Sequence, residues 1–192
     1  MKFRINDVVF SVGIPFLATA AFFLAGDMRM NYCYAVLFSA LHETGHIIAL
    51  LCFGKKPKNI TFGIMGIRIE TTSMTLSYRE ECIAAFCGPL VNLIFAVIFS
   101  IVDIEGLPFA INSGLFVINI LPVKTLDGGR FLQNLMLIFA DEEKTDRIMR
   151  ILEIATVIVI ITVMLISLIT RYANTSFVFF SVTLVMIILL QF

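Results

Sequence analysis

The chain has 192 residues, of which 59% are hydrophobic and only 15% are charged, and its mean hydropathy is +0.99. This composition excludes an ordinary soluble domain, and the length leaves room for about six membrane-spanning helices joined by short loops. The formal net charge is zero, so nothing in the charge balance indicates a nucleic-acid partner or a polybasic lipid-binding segment.

Apolar runs separated by charged residues, glycine or proline predict an all-α membrane protein with about six transmembrane helices. Their approximate ranges are 8–26, 31–53, 80–102, 108–139, 151–170 and 175–191. The first run continues past a small-residue sequence at 18–20, so we interpret it as a retained helix and not as a cleaved signal. Most lysines and arginines then lie on one side of the membrane, which predicts cytoplasmic termini.

The fourth run, 108–139, is longer than a bilayer requires and contains Pro122, Gly128 and Gly129. Proline and glycine interrupt helices, and an interrupted helix survives in a membrane only where protein or water satisfies the freed backbone groups. We therefore predict a break near the middle of this span, with a buried polar site beside it.

Between the second and third spans, residues 59–77 do not have a helical pattern. Ile60 and Phe62 alternate with polar residues, and so do Ile67 and Ile69 after a turn, which predicts a small membrane-associated β-hairpin or sheet. One interpretation is a surface hairpin that joins two helices. The other is an open sheet edge, formed by these four apolar residues, to which an extended peptide could add as a strand.

Residues 42–46 read His-Glu-Thr-Gly-His inside the apolar second span. On a helix His42 and His46 share a face, so both imidazoles can bind one zinc ion while Glu43 reaches the attacking water. An ionisable residue at bilayer depth costs about 2.5–3.5 kcal/mol on insertion scales, so a purely structural role for this cluster is unfavourable. The pattern predicts a zinc hydrolase.

A catalytic zinc usually takes three protein ligands and leaves a fourth position for water. Among the acidic residues outside the motif, Asp127 alone lies deep in a predicted span, at the break in span four. Spans two and four run in the same direction, and the helical rise puts His46 and Asp127 at similar depth. We predict one Zn²⁺ per chain, bound by His42, His46 and Asp127.

These sequences resemble motifs of the site-2 protease family of intramembrane zinc metalloproteases. The HETGH sequence is followed by a GPxxN element at 88–92, by Asn-Ile-Leu-Pro at 119–122 and by Leu-Asp-Gly-Gly at 126–129. Ile120 stands where the family usually has the first proline of NPxP. The small size of the chain is similar to the compact branch that includes the sporulation sigma-factor processing proteases.

The resemblance implies zinc held by the three predicted ligands, with Glu43 as general base. It also implies one polytopic protease domain over 1–192, with a catalytic core at about 31–140, in a bacterial cell membrane. The expected activity is regulated intramembrane proteolysis, in which a peptide bond in or near a transmembrane segment of a membrane-bound substrate is hydrolysed. A separate regulatory membrane protein is a possible partner, and no nucleic acid is expected.

Asn119 and Asn92 are further candidates, because a buried amide could stabilise the oxyanion or orient a ligand. The alternative for both is ordinary helix–helix hydrogen bonding. Two other functions are compatible with buried metal-binding residues: a metal-ion transporter and a catalytically altered membrane scaffold. A transporter would be expected to show inverted repeats, and a scaffold would be expected to have lost Glu43 or a ligand, so a protease is favoured.

Overall fold

The computed structural model describes residues 2–5, 8–12, 29–55, 57–63, 66–71, 76–104, 106–170 and 175–189. The strands are β1 (Lys2–Ile5), β2 (Val8–Val12), β3 (Pro57–Gly63) and β4 (Gly66–Thr71). The helices are α1 (Arg29–Cys52), α2 (Tyr78–Val102), α3 (Leu107–Asn119), α4 (Asp127–Leu137), α5 (Glu142–Ile169) and α6 (Thr175–Leu189). The chain divides into two compact units, Met1–Asn119 and Ile120–Phe192.

The four strands form one sheet in the order β1-β2-β3-β4. β1 and β2 are antiparallel, as are β3 and β4, whereas β2 and β3 are parallel. The β3–β4 pair overlaps the segment 59–77, whose alternation predicted β structure, and begins two residues before it. The prediction of a helix over 8–26 is wrong for residues 8–12, because these β-branched and aromatic residues pair with two strands. Residues 13–26 lie outside the described part of the chain.

The edge predicted for this sheet needs a correction. Ile60 is opposite Phe10 on one side and Ile69 on the other, so it belongs to an interior strand. The same holds for Phe62, which is opposite Val12 on β2 and Ile67 on β4. Within the described strands, β4 is an outer strand. Of the four candidate edge residues, only Ile67 and Ile69 lie on it.

Helix α1 packs on α2 along a stripe with helical periodicity. The buried positions of α1 are Phe38, His42, Gly45, His46, Ala49 and Leu50. At one end of the stripe, the ring of Phe38 lies 5.7 Å from those of Phe95 and Phe99 on α2. At the other end, Ala49 and Leu50 pack against Ala84. The two histidines therefore lie in the middle of a helix–helix interface.

The predicted break in the fourth span is confirmed, because α3 ends at Asn119 and α4 begins at Asp127. Residues 120–126 form turns in which the Val123 amide donates to the Leu121 carbonyl and the Leu126 amide donates to the Val123 carbonyl, each at 2.8 Å. The non-helical backbone between the two helices is therefore partly satisfied by its own hydrogen bonds.

The second unit is built from α4, α5, α6 and the turns that precede α4. Its core contains Val123, Val157, Leu184 and Ile188, of which Val123 and Ile188 are fully buried. The charged residues 141–147, which lie between the predicted spans 108–139 and 151–170, are the N-cap and first turns of α5. Acidic residues in a first turn are favoured there by the positive end of the helix dipole.

Three of the described helical segments are long and apolar enough to cross a membrane: Cys33–Cys52, Tyr78–Val102 and Glu142–Ile169. On α5, large apolar side chains such as Ile151, Ile154 and Ile158 are exposed, as expected of a lipid-facing surface. The chain is a membrane protein, but the prediction of six full spans is not supported. With 13 and 11 residues, α3 and α4 are each too short to cross about 30 Å of hydrocarbon at about 1.5 Å per residue.

Candidate metal centre

The two histidines of α1 present the same ring nitrogen to each other. Nε2 of His42 lies 3.1 Å from Nε2 of His46, and the rings are edge to face with centroids 4.9 Å apart. Both side chains are buried, with exposed fractions of 5% and 9%. The spacing of four residues predicted this arrangement, and the helix produces it.

The opposite nitrogen of each ring has an acceptor on α2. Nδ1 of His46 lies 2.7 Å from the backbone carbonyl of Ala84, and Nδ1 of His42 lies 2.5 Å from Oδ1 of Asn92. A carbonyl oxygen can only accept, so each Nδ1 carries a hydrogen and each neutral ring has its lone pair on Nε2. This second contact is the kind that orients a histidine ligand of a metal.

The pair of Nε2 atoms fits a zinc ion. Zinc–nitrogen bonds of about 2.0–2.1 Å in tetrahedral geometry place two ligating nitrogens about 3.3 Å apart, close to the distance between these atoms. Two lone pairs at this separation in a buried site repel each other unless a cation lies between them. Glu43, which directly follows His42, is half buried.

Glycine at position 88 allows α2 to approach this centre. A Cβ atom there would overlap Nε2 of His46 and lie 2.8 Å from Nε2 of His42. Gly45 on α1 is equally restricted, because its Cβ would lie 2.5 Å from the carbonyl oxygen of Cys87. The close contact of α1 with α2 therefore requires glycine at these positions in the HETGH and GPxxN elements.

In the second unit, Asp127 is the first residue of α4, where the helix dipole favours a negative charge. Its carboxylate is 13% exposed and lies 3.7 Å from the guanidinium of Arg130. Gly128 and Gly129 follow it, and both are buried. A Cβ at Gly129 would overlap the carbonyl of Val123, so the preceding turns can pack on α4 only if this residue is glycine.

A side chain of α5 forms a hydrogen bond with the turns that precede Asp127. Oε1 of Glu153 accepts a hydrogen bond of 2.9 Å from the backbone amide of Lys124. Glu153 is only 3% exposed. The predicted span 151–170 puts Glu153 near its first residue, but α5 begins at Glu142, so Glu153 lies well inside the helix.

The two candidate asparagines have different surroundings. Asn92 on α2 contacts His42 on α1, so its hydrogen bond joins two helices at a predicted zinc ligand. Nδ2 of Asn119 donates to the carbonyl of Leu115 at 3.0 Å, which is a bond within its own helix. Asn112, which the sequence did not single out, is fully buried and accepts a 3.1 Å hydrogen bond from Nδ2 of Asn92. An amide inside an apolar helix was the available signal.

Comparison with known proteins gives a likeness in fold to a solved structure. No protein-family model matches the chain, and no curated protein matches it by sequence. Among solved structures, the site-2 protease from Methanocaldococcus jannaschii superposes with a TM-score of 0.64 at 19% identity, over 97% of this chain and 92% of that one. The chain is similar in fold to a site-2 protease. At this identity the likeness concerns the fold, and the chemistry must be argued from the side chains.

Proposed function

We propose that this chain is an intramembrane zinc metalloprotease of the site-2 type. The observation that carries the proposal is the buried pair His42 and His46, whose Nε2 atoms are 3.1 Å apart while both Nδ1 atoms contact acceptors on α2. A hydrogen-bonded imidazole pair within an apolar helix has the donor chemistry of a zinc site. The fold of the M. jannaschii protein supports the same function.

The proposed ligands are His42, His46 and Asp127, which supply two imidazoles and one carboxylate. This is a usual ligand type for a hydrolytic zinc, and we propose one zinc per chain. Bound zinc would supply Lewis acidity, polarising a carbonyl and making a water molecule more acidic. The carboxylate would offset one of the two positive charges of the ion, and the two imidazoles would donate lone pairs without contributing charge.

Glu43 is the proposed general base. Its position next to His42 suits a carboxylate that takes a proton from the attacking water and delivers it to the nitrogen of the leaving amine. Asn119 is the proposed residue for stabilising the oxyanion. One hydrogen of its NH₂ group is donated to the Leu115 carbonyl within α3, and the second could be donated to the oxyanion. The proposed role of Asn92 is to orient the imidazole of His42.

The proposed substrate is a membrane protein with a transmembrane or membrane-associated segment. Helical peptide bonds are shielded by internal hydrogen bonds, so the cleaved segment must be extended before attack. Strand β4, with Ile67 and Ile69, is the proposed acceptor for that segment. We further propose that the protein acts in regulated proteolysis in a bacterial cell membrane, with both termini in the cytoplasm. A separate membrane protein would regulate it, and the chain would be related to the sigma-factor processing branch.

The test uses Glu43→Gln in liposomes reconstituted with synthetic single-span peptides whose apolar segments contain helix-destabilising glycine or proline. Wild-type protein is expected to cleave at least one of them, with the products identified by mass spectrometry. Glu43→Gln should bind zinc normally and cleave about 10²- to 10⁴-fold more slowly. Equal cleavage by both proteins would contradict the proposal. Zinc flux into the vesicles without cleavage would favour a transporter.

A further inference from the structure

A line of amides leads away from His42 on the side opposite Nε2. Nδ2 of Asn112 donates to the backbone carbonyl of Pro108 at 2.8 Å, while Oδ1 of Asn112 accepts from Nδ2 of Asn92. Oδ1 of Asn92 then contacts Nδ1 of His42. Asn92 and Asn112 are both fully buried. The line therefore crosses from α3 through α2 to α1 inside the first unit.

The direction of every hydrogen bond in this line follows from the backbone carbonyl of Pro108, at which the line ends. A backbone carbonyl only accepts, so Asn112 must turn its NH₂ group to Pro108 and its oxygen to Asn92. Asn92 must then turn its NH₂ group to Asn112 and its oxygen to His42. His42 can meet that oxygen only with a hydrogen on Nδ1, which places the lone pair on Nε2.

We propose that Asn112 is a positioning residue of the metal centre, acting through Asn92 to keep His42 in its Nδ1–H tautomer. Without the acceptor at position 112, the Asn92 amide can rotate by half a turn and present NH₂ to His42. The hydrogen of the imidazole then moves to Nε2, and that nitrogen can no longer bind a metal. The inference rests on the proposed zinc site but does not depend on proteolysis.

The chain offers an internal control, because it has only two histidines. Nδ1 of His46 faces the carbonyl of Ala84 directly, with no amide between them. The tautomer of His46 should therefore be independent of Asn112. A change in His42 alone identifies the amide line, whereas loss of the α1–α2 packing would alter both rings.

The experiment measures the two imidazoles in zinc-free, full-length protein in detergent, with ¹⁵N-labelled histidine, by NMR at about pH 9, where an unperturbed imidazole is neutral. Wild-type protein should show two Nδ1–H rings. Asn112→Leu should convert one ring wholly or partly to Nε2–H and leave the other unchanged. Chelator competition should show zinc affinity about 10- to 100-fold lower.

Asn134→Leu is the matched control, because Asn134 makes the same bond to the carbonyl four residues earlier, that of Arg130, on α4. It should change neither the histidine tautomers nor zinc affinity. Asn92→Leu should reproduce the effect of Asn112→Leu, and the double variant should be no worse than Asn92→Leu alone. Two unchanged Nδ1–H rings in Asn112→Leu would overturn the proposal. Equal changes in both rings would also overturn it, since Asn112 would then act on helix packing in general.

Discussion

The α-carbon of Gly88 faces the imidazole of His46 so closely that a Cβ at position 88 would overlap Nε2. This nitrogen lies on the opposite side of the ring from Nδ1, which contacts the Ala84 carbonyl, and it is the atom proposed to bind zinc. The helix that orients the histidine therefore also limits the space on its metal-binding side. A single added methyl group tests both roles.

Gly88→Ala is expected to abolish zinc binding, because its methyl group would occupy the position of Nε2 of His46 and crowd that of His42. The measurement is zinc content after purification, with chelator competition. Gly114→Ala on α3 is the control, since nothing lies within 4 Å of a Cβ there. That variant should be as stable as wild type, or more stable by up to about 1 kcal/mol. Normal zinc affinity in Gly88→Ala would show that the ring positions are wrong.

Asp127→Asn should lower zinc affinity by more than about a hundredfold, which is the upper end of the loss caused by changing outer-sphere partners. The amide keeps the size of the side chain and removes its charge. Asp141→Asn is a control on an exposed carboxylate at the N-cap position of α5, and it should leave zinc affinity unchanged. Isothermal titration of metal-free protein distinguishes the two. Equal affinities for Asp127→Asn and wild type would exclude Asp127 as a ligand.

Glu153→Gln and Glu153→Leu separate hydrogen bonding from charge. Glutamine can still accept from the amide of Lys124, and it buries no charge, so stability and zinc affinity should be retained. Leucine leaves that amide without its acceptor, which should destabilise the protein by about 1–3 kcal/mol and loosen the turns before Asp127. Thermal unfolding in detergent measures the difference. Leucine and glutamine variants of equal stability would contradict the role of this bond.

Proline substitutions test the β4 edge. In an antiparallel pair, the N–H groups of successive residues point alternately towards the partner strand and away from it. Arg68→Pro and Ile69→Pro therefore remove two N–H groups that point to opposite sides of β4. One variant disrupts pairing with β3, and the other removes a donor from the outer edge. If substrate adds to this edge, both should lose cleavage. Retained cleavage in either variant would show that β4 does not receive the substrate.

The local parts of the fold could be predicted from the sequence. The spacing of His42 and His46 is a property of any helix, and the Pro122 and glycine signals lie at the observed break. The boundaries of α1 and α2 follow from apolar runs ended by polar residues. These predictions need no knowledge of which elements are neighbours.

The parts that depend on neighbours could not be predicted. β2 becomes a strand by pairing in parallel with β3, and α1 separates the two in sequence. Ile60 and Phe62 have a strand pattern, but only the strand order reveals that they are interior. Asn112 and Glu153 acquire their roles from groups on other elements, a carboxamide on α2 and a backbone amide at Lys124.

Zinc-bound histidines commonly have a carboxylate, a carbonyl or water behind them. In this chain the groups behind the two histidines are a backbone carbonyl and a pair of asparagines that ends at another backbone carbonyl. None of these groups ionises. The two imidazoles, which are proposed zinc ligands, are thus oriented without an additional buried charge in the bilayer, where such a charge would be costly. Their orientation is also insensitive to the protonation of any outer-sphere group, so neutral dipoles do here what a buried anion does in water-soluble enzymes.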